Sequence, residues 1–163
     1  MEENKCSCHH CEGDCDGCNE EMFNACPVCG QVGMNVSLET IESLVKKEVV
    51  INSFKDKETF LCINRQCQVA YYVQEDKVLV NQVKVPIWFK YEKDEYMVCY
   101  CRRITLDDII EAVKSINQDK IAISDVLHYL NKEDVLTDCL HNNPTGICCD
   151  KLFENAIKYA KSK

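Results

Sequence analysis

Several familiar features are missing from this sequence, and each absence removes a class of function. The opening residues, Met1-Glu2-Glu3-Asn4-Lys5-Cys6, are polar and acidic and contain no apolar h-region, so no secretory signal is expected. No stretch approaches the roughly 18 apolar residues needed to span a bilayer. A basic face is lacking too: the formal net charge is -8, against the positive surface that nucleic-acid binding normally requires. No Gly-rich phosphate loop, Ser-His-Asp arrangement or carboxylate pair stands out, and no internal repeat is evident. The expectation is a cytoplasmic protein with neither nucleic acid nor membrane as partner, and no enzymatic reaction is assigned to it.

Cysteine is what the chain has in excess, with 14 in 163 residues. In a reducing cytosol thiols persist, and paired cysteine spacings there point to metal rather than to disulfides.

Three zones are expected. Residues 1–22 form a polar, cysteine-rich tail with too little apolar surface to bury a core. Residues 23–95 read as a small α+β subdomain stapled by zinc. Ser37 can cap a helix whose apolar stripe is Leu38, Ile41, Leu44 and Val45. Strand-like runs follow at Val49-Val50-Ile51, Thr59-Phe60-Leu61, Val69 to Val73 and Lys77 to Val80, with a turn at Gln74-Glu75-Asp76. The run from Lys84 to Phe89 contains Pro86 and reads as an edge strand. Residues 96–163 read as all-helical. Thr105-Leu106-Asp107-Asp108 resembles a capping box, opening a helix lined by Ile109, Ile110, Val113 and Ile116. A second helix carries Val126, Leu127 and Leu130, a third is expected after Asn131, and a last runs from about Cys149 to Lys161. The fold class is therefore α+β.

Cys26-Pro27-Val28-Cys29-Gly30 is a C-P-x-C-G knuckle. Pro27 stiffens the turn and Gly30 can take a positive φ without a Cβ penalty, so both thiols can face one ion. Cys62 and Cys67 supply a second pair. Four thiolates suit tetrahedral zinc, and with every position filled by protein the role is structural. Iron in a rubredoxin-like site is the competing ion. The second pair departs from that pattern, because four residues separate its cysteines.

The last zone holds Cys99-Tyr100-Cys101, Cys139 and Cys148-Cys149. Adjacent and i, i+2 cysteines are poor disulfide partners, but the thiols of a C-x-C can turn toward one cluster. Asn143-Pro144-Thr145-Gly146 is a turn that delivers Cys148 and Cys149 to a helix N-terminus, where thiolates are favoured. Two separated thiol pairs suit a [2Fe–2S] centre. Two other arrangements compete: Cys139 as a core residue with Cys148 and Cys149 both ligating, and a Rieske-like centre using His141.

Taken with the knuckle and the Cys62/Cys67 pair, Val98-Cys99-Tyr100-Cys101 and Asn143-Pro144-Thr145-Gly146-Ile147-Cys148-Cys149 resemble the N-terminal domain of the CopZ-type copper chaperones over about residues 23–155. The cluster half is similar to the bacterioferritin-associated ferredoxin domain. The resemblance implies one Zn2+, held by Cys26, Cys29, Cys62 and Cys67, and one [2Fe–2S] cluster. Cys99 and Cys101 match the C-x-C ligands and Cys139 with Cys149 the second pair, with Cys148 as the alternative. The small copper-binding domain that follows in full-length members has no counterpart up to Lys163, so delivery of copper by that domain is not expected.

Cys6, Cys8, Cys11, Cys15 and Cys18, with His9 and His10, form a soft-ligand set suited to Cu+ or zinc. The function expected is one-electron transfer, which the family resemblance ties to copper handling, by reduction of Cu(II) to Cu(I) or by chaperoning, with a redox partner or a copper-transport protein. Metal storage in the tail is one alternative. The other is an iron–sulfur sensor or assembly partner. Trp88 and Phe89 are expected to pack between the two halves.

Overall fold

Ser37 opens the first helix through a local bond: its Oγ accepts the Thr40 N–H at 3.3 Å, satisfying a donor that the helix cannot. This helix, α1 (Leu38–Leu44), turns Ile41 and Leu44 inward. The computed structural model describes residues 24–90 and 96–163. The expected tail, with Cys6, Cys8, Cys11, Cys15 and Cys18, lies outside the described residues.

Beside α1 lies an antiparallel sheet in the order β1 (Met34–Asn35), β2 (Phe60–Leu61), β3 (Val69–Val73) and β4 (Asp76–Leu79). Leu61 pairs with Met34 and Tyr71, and Phe60 with Asn35 and Tyr72. β3 is buried along its whole length because both of its faces are covered. Tyr71 and Val73 join Ile41, Leu44, Phe54 and Ile87 in one core. Tyr72 joins Phe60, Cys26, Cys62 and Cys67 in a second cluster on the other face, its ring stacked on Phe60 at 5.7 Å. A register shift between Val69 and Tyr71 puts Val69 with Tyr72, where strict alternation would have put it with Tyr71.

Two runs expected as strands are not strands. The Val49 N–H turns back to the Lys46 carbonyl at 3.0 Å, Val50 is 79% exposed, and Asn52–Phe54 forms a 3-10 turn that buries Phe54. Without a neighbouring strand to pair with, β propensity does not prevail. In the run from Lys84, the Lys84 N–H bonds to the Leu44 carbonyl at 2.8 Å and the Trp88 N–H to the Tyr100 hydroxyl at 3.1 Å, so no strand ladder forms. Pro86 has no N–H to offer, and the Lys90 N–H closes a turn on Ile87 at 2.7 Å.

The C-terminal half is not all-helical. It opens with a hairpin of β5 (Met97–Cys99) and β6 (Ile104–Thr105), whose turn holds Arg103 at φ 52. The capping box is present with Asp in place of Glu: Asp108 N–H donates to Thr105 Oγ1 at 3.2 Å, and Thr105 N–H to Asp108 Oδ2 at 2.8 Å. It starts α2 (Leu106–Ser115), followed by α3 (Ile123–Tyr129). Asn131, expected to open a third helix, instead ends α3, sitting at φ 53 just past it. α4 (Cys139–Asn142) is one turn capped by Asp138, and α5 is Asp150–Lys161. Val98, Ile109, Val113, Val126, Phe153 and Ile157 form the core of this half. Each such side chain contributes on the order of 1.5–3 kcal/mol by burial.

The architecture is α+β. Phe89 packs on the first core, while Trp88 borders an apolar groove with Leu106, Leu152 and Tyr159, so the pair bridges the halves as expected. No helix among the described residues is long and apolar enough to cross a membrane.

Candidate metal centres

The knuckle is a tight turn closed by the Gly30 N–H on the Cys26 carbonyl at 2.8 Å and by the Cys26 N–H on Gln31 at 2.9 Å. Gly30 sits at φ +71, a conformation a Cβ would oppose. Cys62 leaves β2 bonded through its N–H to Ala70 at 2.8 Å, and the Cys67 N–H closes a turn on the Asn64 carbonyl at 3.2 Å. Lys90 braces this loop, donating from Nζ to the Asn64 carbonyl at 2.7 Å and the Cys67 carbonyl at 3.1 Å.

These elements bring the sulfurs of Cys26, Cys29, Cys62 and Cys67 within 4.8 Å of one another. Cys26 and Cys67 are 3.9 Å apart and Cys29 and Cys62 3.7 Å apart. A tetrahedron with metal–sulfur bonds of roughly 2.3 Å has edges of roughly 3.8 Å, so the sulfur positions fit such an ion. Burial pushes the Cys62 thiol up to about 12 and raises Cys67 as well. Burial also works against Cys29, but the Gln31 N–H and the neighbouring thiols draw it down to about 7. Four sulfurs packed this closely are an environment that a divalent cation would satisfy.

The second group is assembled differently. Cys99 ends β5, Cys101 lies in the hairpin turn, Cys139 begins α4 and Cys149 is the N-cap residue of α5. Cys101 Sγ and Cys139 Sγ are 3.7 Å apart, and the Asp138 N–H donates to the Cys101 sulfur at 3.3 Å. Cys99 and Cys149 are buried in the same core cluster. The influence of the Cys149 thiol holds Cys99 down to about 6, helped by the Arg102 N–H and guanidinium, and Cys99 in turn drives Cys149 far above the ordinary thiol range. Burial, followed by the nearby Cys101, pushes Cys139 up to about 12. The result is one close sulfur pair, Cys101–Cys139, with Cys99 and Cys149 buried together in the core of this half. The 3.7 Å separation of Cys101 and Cys139 matches one edge of a thiolate tetrahedron.

Between the adjacent cysteines, Cys149 is buried and Cys148 exposed. Cys139 is only partly buried, so it is not a core residue. Both ring nitrogens of His141 are engaged, Nδ1 with Asp138 and Nε2 with Glu39, each at 2.8 Å, which leaves neither free for a Rieske-like centre. Those two carboxylates, Asp138 foremost, raise the imidazole above its ordinary pKa. Arg102 donates from Nε to the Lys132 carbonyl at 3.0 Å, holding the hairpin turn against the loop after α3. Four residues of the surroundings were not singled out by sequence: Thr40, Tyr71, Lys90 and Tyr100. Only Tyr100, lying between Cys99 and Cys101, carried a positional signal.

Four converging thiols on a knuckle and a strand end define a metal-binding cysteine domain. Residues 23–86 match the family model described as a zinc binding domain of the zf_CopZ type. A relative, the copper chaperone CopZ of Archaeoglobus fulgidus, is 27% identical over 124 residues, 76% of this chain and 57% of that protein. The match thus spans little more than half of the relative's length. The solved N-terminal domain of Archaeoglobus fulgidus CopZ shares the fold, with a TM-score of 0.62 at 23% identity over 80% of this chain and 95% of that one. Residues 23–86 thus resemble a CopZ-type zinc-binding domain, the chain shares the fold of the solved domain, and the four-cysteine group supports metal binding.

Proposed function

We propose that this chain is a zinc- and [2Fe–2S]-binding redox protein that carries single electrons in copper handling. Residues 23–95 are the zinc-stapled subdomain, with Cys26, Cys29, Cys62 and Cys67 as ligands. Residues 96–163 are the cluster subdomain, with Cys99, Cys101, Cys139 and Cys149 as ligands. Cys148 is left outside the set because it is exposed where Cys149 is buried. The observation that carries the reading is the second group itself, with Cys101 and Cys139 3.7 Å apart and Cys99 and Cys149 buried in one core cluster, drawn from opposite ends of one long segment.

When bound, a [2Fe–2S] centre supplies one-electron redox chemistry. The chain's own contribution is to hold four thiolates and stabilise their charge. The Asp138 N–H donates to the Cys101 sulfur, Arg102 supports Cys99, and the positive end of α5 lies at Cys149. The copper role follows from the relative's name and from soft-ligand chemistry. Cu(II) is the substrate, accepting one electron to become Cu(I). Cys6, Cys8, Cys11, Cys15 and Cys18 then offer it thiolate ligands before it passes to a copper-transport protein.

The test is iron, acid-labile sulfide and zinc content of anaerobically purified protein, alongside Cys101→Ala. Wild type should carry zinc with iron and sulfide in equal amounts, and the variant should lose the iron and keep the zinc. Protein that stays colourless after supply of iron and sulfide would end this reading.

A further inference from the structure

Both cysteine-bearing segments of the C-terminal half, Cys99 to Cys101 and Cys139 to Cys149, are tied to the N-terminal half through a tyrosine hydroxyl. Tyr100, the middle residue of Cys99-Tyr100-Cys101, donates its hydroxyl to the Pro86 carbonyl at 2.7 Å and accepts the Trp88 N–H at 3.1 Å. Ile87, between those two residues, is buried in the first core. Tyr71 on β3 donates its buried hydroxyl to the Pro144 carbonyl at 2.9 Å, inside the turn that leads to Cys149.

That turn is itself internally rigid. Asn143 Oδ1 accepts the Thr145 N–H at 3.0 Å, its Nδ2 donates to the Ile147 carbonyl at 2.9 Å, and the Gly146 N–H returns to the Asn143 carbonyl at 2.8 Å. It presses on α1 so closely that a Cβ on Gly146, at φ +71, would lie 2.6 Å from Thr40 Oγ1. Glu39 of α1 reaches His141 at 2.8 Å. The segment bearing Cys139 and Cys149 therefore rests on side chains of α1 and β3.

β3 connects this seat to the first thiol group. Its Tyr71 face meets the Pro144 turn, while Val69 and Tyr72 pack against Cys26, Cys62 and Cys67. A strand clamped on one face cannot shift on the other without moving both.

We propose that Tyr71 and Tyr100 are positioning residues for the cluster ligands, and that metal in the N-terminal thiol group fixes Tyr71 through β3, so that cluster capture requires prior zinc loading. This rests on the function proposed above and adds an order of assembly to it. Removal of zinc loosens the Cys62–Cys67 loop and β3, Tyr71 loses its aim at Pro144, and the Cys139/Cys149 segment comes off its seat. A buried hydroxyl and the carbonyl it serves are each left without a partner, so the seat is either made or lost as a unit.

The test uses the full chain. Cluster-free protein, zinc-loaded or chelator-stripped, is compared by hydrogen exchange over residues 138–149. Exchange there should be about fivefold faster or more without zinc, the equivalent of one lost buried hydrogen bond, while α2 stays protected. Unchanged exchange overturns the inference. Tyr71→Phe and Tyr100→Phe, which keep the rings, are then loaded with zinc, iron and sulfide. Both should keep full zinc yet release iron about fivefold faster, with a shifted reduction potential. Wild-type release rates and potentials in both variants also overturn it. A zinc-loaded wild type that takes up no iron overturns the proposed function, whereas iron uptake indifferent to zinc overturns only the order of assembly.

Discussion

The two thiol groups of this chain are built in opposite ways. The first draws its sulfurs from a knuckle and a strand end between residues 26 and 67, and its loops are braced within their own half by Lys90 and by the Gly30 turn. The second draws its sulfurs from residues 99 to 149 and depends on Tyr71, Thr40 and Glu39 of the other half to hold its later members. A site made of local turns carries its own support, and one gathered across a long segment borrows it. The first should therefore survive damage to the second, and the reverse should fail.

The largest break in that asymmetry comes from Cys62→Ala. The free energy of a structural zinc, on the order of 10–16 kcal/mol in small metal-dependent folds, is folding free energy. The variant should lose zinc and the cooperative thermal transition of the N-terminal half, as metal analysis and calorimetry would show. Retained zinc with an unchanged transition would erase the contrast. Next in size is Ile109→Ala, which opens a cavity in the C-terminal core at a residue with 0% exposure. It should cost about 2–5 kcal/mol by denaturant midpoint while zinc content stays unchanged. Gly146→Ala combines backbone strain at φ +71 with the clash on Thr40 and should cost about 2 kcal/mol. Adding Thr40→Ala should recover the clash but not the strain, which a double-mutant cycle separates. Thr105→Ala removes a helix cap and should cost about 1 kcal/mol, with no effect on either thiol group.

The smallest effect concerns pH. His141 is held above its ordinary 6.5 by Asp138 and Glu39, so its folded pKa exceeds its unfolded one. Its contribution is complete below 6.5 and fades as pH rises through the folded value. The thermal midpoint difference between wild type and His141→Gln should shrink toward alkaline pH. A difference that grows would contradict the bridge.

Local chemistry was readable from the residues alone. Ser37 and Thr105 cap their helices because a hydroxyl needs only the N–H three residues on, and the hairpin of β3 and β4 follows from two β-rich runs on either side of a turn. Non-local outcomes were not readable. Val49-Val50-Ile51 has strand composition but no strand beside it, and Asn131 ends a helix rather than starting one because it takes φ 53. The hairpin of β5 and β6 was hidden because each strand is too short to show a period. Tyr71 and Tyr72 are chemically alike, and only the register of β3 sends one to the Pro144 turn and the other to the thiols.

By itself the sequence determined which side chains can bind soft metals and where tight turns and caps fall, because these properties depend on residue chemistry and on neighbours a few positions away. Only the tertiary structure decided which sulfurs meet, that Cys149 rather than Cys148 is buried beside Cys99, and that one half serves as the seat of the other. Those outcomes depend on how β3, α1 and α5 pack, and packing between distant segments is a property of the whole fold that no local pattern encodes.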